Sequence, residues 1–156
     1  MAAKKMAIIA TKGALDMAYP PLILASTAAA LGWEVQVFFT FYGLQLLRKD
    51  LSGIKISPLA NPAMPMPVPM PVVVSILPGM QAMATSMMKA KMKKKGVASL
   101  TELRDLCQEA EVKFIACQMT VDLFDFQKSD FIDGIEFGGA ATFMKFAGET
   151  DVCLFI

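Results

Sequence analysis

KMAIIATKGALDMAYPPLILASTAAALGWEVQVFFTFYG, residues Lys5 to Gly43, holds two short apolar runs around a segment of helical character. The first, Lys5 to Thr11, ends in Thr-Lys-Gly and is bounded as a buried parallel strand would be. Pro20 and Pro21 then suit a helix start, since proline has its φ preset and needs no hydrogen-bond donor there. LILASTAAALG continues that helix until Gly32, which acts as its C-terminal stop. Glu34 to Gly43, rich in Val and Phe, reads as a second buried strand. Strand, helix and strand joined by short connections make a βαβ unit, and such units build parallel sheets.

The rest of the chain continues the alternation. Leu44 to Asp50 is expected as a short helix, Ile54 to Ser57 as a short strand, and Val72 to Ile76 as either a strand or a continuing loop. Gly79 to Lys95 reads as an amphipathic helix with Met80, Met83, Met87 and Met92 along one side. Five lysines, Lys89, Lys91, Lys93, Lys94 and Lys95, crowd its end, where cations favour the helix dipole. Ser99-Leu-Thr-Glu102 is a capping box for a helix whose apolar face carries Leu103, Leu106, Cys107 and Ala110. Val112 to Cys117 is the next strand, and Thr120 is placed to cap a short helix over Val121 to Phe126. The turn DGIEFGG, a helix from Ala140 to Ala147 and a terminal strand from Asp151 to Ile156 complete a three-layer α/β/α fold. Its sheet is expected to be mostly parallel, with about five strands.

With 156 residues, one domain spanning 1–156 is expected, interrupted by a Pro/Met-rich loop at about 58–78. The chain is 55% hydrophobic and only 19% charged, which calls for a deep core, an oligomer or a membrane contact. Ile56 to Met88 carries no charge and is long enough to span a bilayer. However, Pro58, Pro62, Pro65, Pro67, Pro69, Pro71 and Pro78 remove backbone donors that lipid would leave unsatisfied. A transmembrane helix is therefore not expected. The alternating prolines of Asn61 to Pro71 impose an extended, polyproline-like course. The Met and Lys stretch has two readings, a core or subunit contact and a peripheral surface for anionic lipid. A net charge of +1 argues against nucleic acid as a partner. Three cysteines without a CxxC pair fit a reducing compartment, and the N-terminal apolar run is too short for a secretory signal, so a cytoplasmic location is expected.

Chemistry is narrowed mainly by what is missing. The chain has no histidine, so serine-triad, Cys-His and zinc-hydrolase mechanisms lack their usual base or ligand, and no metal site or cofactor is expected. It also lacks GxxxxGK[ST], and no GxGxxG follows the first strand. In open parallel sheets ligands meet the carboxyl ends of strands. Thr11-Lys12-Gly13, Thr40-Phe41-Tyr42-Gly43, Cys117-Gln118-Met119-Thr120 and Gly138-Gly139 should meet at that edge. Candidate contacts there are Lys12, Gly13, Tyr42, Gln118, Thr120 and Gly139. Cys117 is the one cysteine at this edge, where a helix N-terminus and Lys12 can lower a thiol pKa without histidine. The competing reading is a small buried hydrophobe. Cys107, on an apolar helix face, and Cys153, inside a terminal strand, read as structural. Asp16 and Asp122 read as solvated loop carboxylates.

Four blocks, AIIATKGALDMAYPPLILASTAAALGWEVQVFFTFYGLQLL, LPGMQAMATSMMKAKMKKKGV, LRDLCQEAEVKFIACQMTVDLF and DFIDGIEFGGAATFMKFA, resemble the DsrE/DsrF-like family, in particular its DsrE2-type sulfur-relay members. The most specific part is ACQMT. The resemblance implies an α/β/α domain assembled into homo-oligomers, whose cysteine carries sulfane sulfur as a persulfide between donor and acceptor proteins. By position that cysteine is Cys117, with Cys107 as a candidate second thiol. Such a protein is a shuttle rather than a conventional enzyme. The alternative is a non-catalytic oligomeric α/β module that binds a small ligand or partner protein at the strand-end edge.

Overall fold

The computed structural model describes residues 2–59, 65, 67–68 and 71–156. Five strands, β1 (Lys5–Ala10), β2 (Glu34–Phe39), β3 (Lys113–Cys117), β4 (Glu136–Gly138) and β5 (Val152–Phe155), form one sheet in the order β4-β3-β2-β1-β5. Every neighbouring pair is parallel. From β1 to β4 the chain steps in one direction, and β5 then returns to the far side of β1. Right-handed crossovers therefore put the helices of the forward steps on one face and the last helix on the other.

The forward face is covered by α1 (Leu15–Ala30), α3 (Met80–Lys94) and α4 (Leu100–Glu109). Met6, Ile8, Ala10, Val35, Val37, Phe39, Phe114 and Ala116 alternate onto this face and pack with Leu22, Ala25, Leu103 and Cys107 in the larger core. The opposite residues, Ala7, Phe38, Ile115 and Cys117, meet only Phe143, Phe146 and Ala147 of α6 (Ala140–Ala147), with Ile9 partly buried beside them. The α/β/α architecture is thus as expected, but its two outer layers are very unequal.

Local boundaries differ where side chains override pattern. α1 begins at Leu15 and carries Pro20 and Pro21 inside it. Its first turn is tied down by Leu15 N–H on the Lys55 carbonyl (2.8 Å) and by the Asp16 carboxylate, which accepts from the Ser57 N–H and hydroxyl (both 2.7 Å). Those bonds hold Lys55 and Ser57 outside any strand. β2 stops at Phe39, because Phe41 adopts a left-handed φ of 48° and opens a 3-10 helix over Phe41–Leu47. Val72–Ser75 is a one-turn helix, α2, rather than a strand. In α3 the side chains packed on the core are Met80, Ala84, Met88 and Met92, whereas Met83 and Met87 face out. The expected methionine stripe is therefore divided between two faces. The capping box at Ser99 and Glu102 forms, with Ser99 N–H to Glu102 Oε2 at 2.7 Å, but Leu106 is exposed. Cys153, expected inside its strand, is exposed on the edge strand β5. The polyproline course of Asn61 to Pro71 falls largely outside the described residues. Among those residues no helix is long and apolar enough to cross a membrane.

Two contacts lock the strand ends to the 3-10 segment. A Cβ on Gly43 would run into the Ala10 carbonyl, and one on Gly13 into the Tyr42 carbonyl, so neither position accepts a side chain without moving backbone. From the other side, buried Arg104 donates through Nη1 to the Leu46 (3.0 Å) and Arg48 (2.7 Å) carbonyls, pinning the end of the segment to α4. Gly43→Ala should cost about 1–3 kcal/mol, since backbone rather than a flexible side chain must yield. Arg104→Ala, which removes the charged donor from both carbonyls, should cost about 3 kcal/mol. Urea unfolding of the purified variants measures both, and wild-type midpoints would refute the packing argument.

Candidate functional site

β3 runs into α5 (Gln118–Leu123) without a connecting loop, so Cys117 is at once the last residue of the strand and the N-cap of the helix. The helix starts earlier than expected, which makes Thr120 a first-turn residue rather than a cap. A cap position leaves the first amides of the helix free, and those of Met119 and Thr120 favour the charged form of the Cys117 thiol, although the sulfur makes no cap hydrogen bond in this geometry. The Thr120 and Thr40 hydroxyls favour that form as well. Thr120 is fully buried, its Oγ1 lies 3.1 Å from Thr40 Oγ1, and it accepts the Phe41 N–H at 3.2 Å. The left-handed turn at Phe41 thus aims its amide at Thr120, in the first turn of the helix that Cys117 caps.

Cys117 is 5% exposed. Burial alone pushes its thiol upward, but the donor groups beside it, the Thr120 hydroxyl and amide, the Thr40 hydroxyl and the Met119 amide, favour the thiolate by more and set the pKa below the ordinary cysteine value. No lysine contributes to this balance, so the role expected for Lys12 is taken by neutral donors. The remaining walls are apolar. Phe38 and Phe143 stack beneath the sulfur's face of the sheet with centroids 5.0 Å apart, and Gly138 is the strand partner of Cys117. Phe41, Tyr42, Met119 and Leu123 are exposed at this end of the molecule.

The other sequence candidates distribute as follows. Lys12, Gly13 and Tyr42 come together with Met17 and Gln45 around a shallow depression of about 390 Å³. Tyr42 is held by stacking on Phe124, at 6.2 Å and 15°. The Gln118 amide donates to Asp122 at 2.8 Å along the outside of α5, so both are engaged with each other. Gly139 is the N-cap of α6, next to the strand partner of Cys117. Cys107 is elsewhere: it is fully buried between α4 and α1, donates to the Leu22 carbonyl at 3.3 Å, and is pushed up to about 11 by burial. Thr40 is the contact that sequence reasoning missed. Its only signal was its place at the carboxyl end of the second strand. Among the described residues no group of three or more acidic, Cys or His side chains is placed to hold a metal.

The sequence profile of the DsrE/DsrF/DrsH-like family matches residues 2–155. A protein of Allochromatium vinosum named sulfur carrier protein DsrE2 is 69% identical over 160 aligned positions, covering 100% of both chains. The uncharacterized protein YrkE of Bacillus subtilis is 34% identical, covering 98% of this chain and 97% of its own. The crystal structure of the ychN protein from E. coli superposes with a TM-score of 0.56 at 12% identity, covering 98% of this chain and 99% of that one, and so shares the fold. Matched by the family profile from residue 2 to residue 155, the chain belongs to the DsrE/DsrF/DrsH-like family.

Proposed function

We propose that the protein is a sulfur carrier in which Cys117 holds sulfane sulfur as a persulfide. The observation that carries this reading is a recessed thiol at the junction of a strand end and a helix N-terminus, where nearby amides and hydroxyls favour its thiolate and no base adjoins it. Such a group is biased toward thiolate and equipped for exchange at sulfur rather than for hydrolysis. The name of the Allochromatium vinosum relative supports it. In the loading step the Cys117 thiolate attacks the outer sulfur of a donor persulfide. A new S–S bond forms, the donor S–S bond breaks, and the donor thiolate leaves and takes up a proton. An acceptor thiolate then attacks the outer sulfur on Cys117, which departs as thiolate. No electrons are gained or lost overall, so donor and acceptor proteins with cysteine thiols suffice.

Three unpaired cysteines favour operation in the reducing cytoplasm. The thin covering of the α6 face, where Met144 and Phe155 are exposed, favours one domain assembled with copies of itself. Cys107, neutral and enclosed, serves packing in this scheme rather than transfer.

Intact-mass measurement after incubation with polysulfide should show one added sulfur that a reductant removes. Cys117→Ser should abolish the addition and Cys153→Ser should leave it unchanged. Uptake that persists in Cys117→Ser would refute the assignment. Because its pKa is depressed, the Cys117 thiolate persists to lower pH than that of free cysteine, and its alkylation rate should fall off at lower pH than that of a free thiol. Thr120→Val removes a hydroxyl donor to a charged acceptor and should slow alkylation at neutral pH by about tenfold. An unchanged pH profile in that variant would show that the hydroxyl does not stabilise the thiolate.

A further inference from the structure

Two threonine hydroxyls meet beside Cys117, and only one of their protons is used. Thr40 follows Phe39, whose partner across β2 and β3 is Ala116, so Thr40 stands abreast of Cys117. Its backbone is still extended, with φ −135° and ψ 159°, and its N–H bonds the Ala10 carbonyl at 3.1 Å. The alternation of the strand therefore carries on for one more residue. Phe39 and Ala116 belong to the larger core and Phe38 and Cys117 to the smaller one, which puts the Thr40 side chain on the face of Cys117. Thr120 arrives from the first turn of α5, with Oγ1 3.1 Å from Thr40 Oγ1.

The two oxygens share one hydrogen bond, and Thr120 Oγ1 also accepts the Phe41 N–H at 3.2 Å. One hydroxyl proton is thus spent within the pair and the other is left over. In other helices threonine spends that proton on a carbonyl one turn back: Thr27 on Ile23 and Thr85 on Gln81, both at 2.7 Å. Thr120 is fully buried, yet among the described residues it makes no such bond to Ala116. An enclosed, unspent proton turns to the strongest acceptor in reach, and once charge develops on Cys117 that acceptor is its sulfur. The effect of burial and of these groups on the resting thiol points the same way: burial raises it, and the Thr120 and Thr40 hydroxyls help to lower it.

A loaded cysteine offers an acceptor thiolate two sulfurs. Attack on the outer one forms a bond to it, breaks its bond to the inner one, hands over the sulfane atom and expels Cys117 as thiolate. Attack on the inner one expels hydrosulfide and leaves Cys117 in a mixed disulfide with the acceptor, so the cargo is lost. Neither route needs an oxidant or a reductant, and the better stabilised thiolate leaves faster. Resting on the carrier reading, we propose that Thr40 and Thr120 select the first route by donating their spare hydroxyl proton to the Cys117 sulfur as it departs.

To test this, the full chain is loaded with polysulfide, freed of excess reagent and mixed with one equivalent of N-acetylcysteine. Intact mass is read at early times. Outer attack returns unmodified protein, whereas inner attack leaves protein heavier by one bound acceptor, which peptide mapping places on Cys117. Wild type should return mainly unmodified protein. Thr40→Val leaves one hydroxyl proton, which the Ala116 carbonyl claims as carbonyls do at Thr27 and Thr85, and the mixed-disulfide share should rise about threefold. That is roughly the part of one charge-assisted hydrogen bond felt at a half-broken S–S bond. Thr40→Ser keeps both protons and should restore the wild-type ratio, and Thr40→Ala is a second variant without the hydroxyl. A purely structural role would slow both routes alike and leave the ratio unmoved. Circular dichroism and sulfur uptake at Cys117 report whether each variant is folded and loaded. An unchanged ratio in a folded, loaded Thr40→Val or Thr40→Ala would overturn the selection and leave the carrier reading standing. Failure of wild type to load at Cys117 would overturn both.

Discussion

Where the first two strands end, two backbone segments approach too closely for any side chain to fit between them. Gly43 lies against the Ala10 carbonyl and Gly13 against that of Tyr42, and the Thr40 amide donates to Ala10 at 3.1 Å. This close approach fixes the path of residues 40–43, and that path delivers the Thr40 hydroxyl and the Phe41 amide to Thr120. Arg104 holds the far end of the same segment. The environment of Cys117 is therefore set by contacts that do not touch sulfur, through a chain of backbone positions with little freedom to relax.

The alternation of strands and helices was legible because buried parallel strands are short apolar runs and their punctuation is chemical. Gly32, the capping box at Ser99 and Glu102, and the helix from Ala140 to Ala147 all appear where the sequence puts them. What misled were residues whose conformation is decided by distant partners. Pro20 and Pro21 suggested a helix start, yet Lys55 and Ser57 anchor an earlier turn at Leu15. Phe41 continued an apolar run in sequence but turns left-handed against Thr120. The unequal outer layers had no sequence signature, so the exposure of Cys153 was not readable from its apolar neighbours.

For the candidate site, the place of Cys117 at a strand end was readable and its surroundings were not. The end of an apolar strand pointed to Cys117, and a helix N-terminus was a sound general reason for a lowered thiol pKa. That two threonine hydroxyls contribute, and that Lys12 joins a separate depression beside Tyr42, depends on side chains 80 residues apart in sequence, Thr40 and Thr120. Local pattern carries no trace of such a pairing.

The two buried thiols also couple folding to pH in opposite senses. Burial raises Cys117, but its hydroxyl and amide partners lower it further, so the folded chain gives up this proton more readily than the unfolded one. Its contribution to stability is present above the unfolded thiol pKa and is lost as pH falls through the folded value. Cys107, raised to about 11 by burial, behaves conversely: its contribution is complete below the unfolded thiol pKa and disappears as pH rises through about 11. Folding thus releases a proton from one cysteine and retains it on the other, and mildly alkaline solution is where these linkages oppose each other across the two faces of a single sheet.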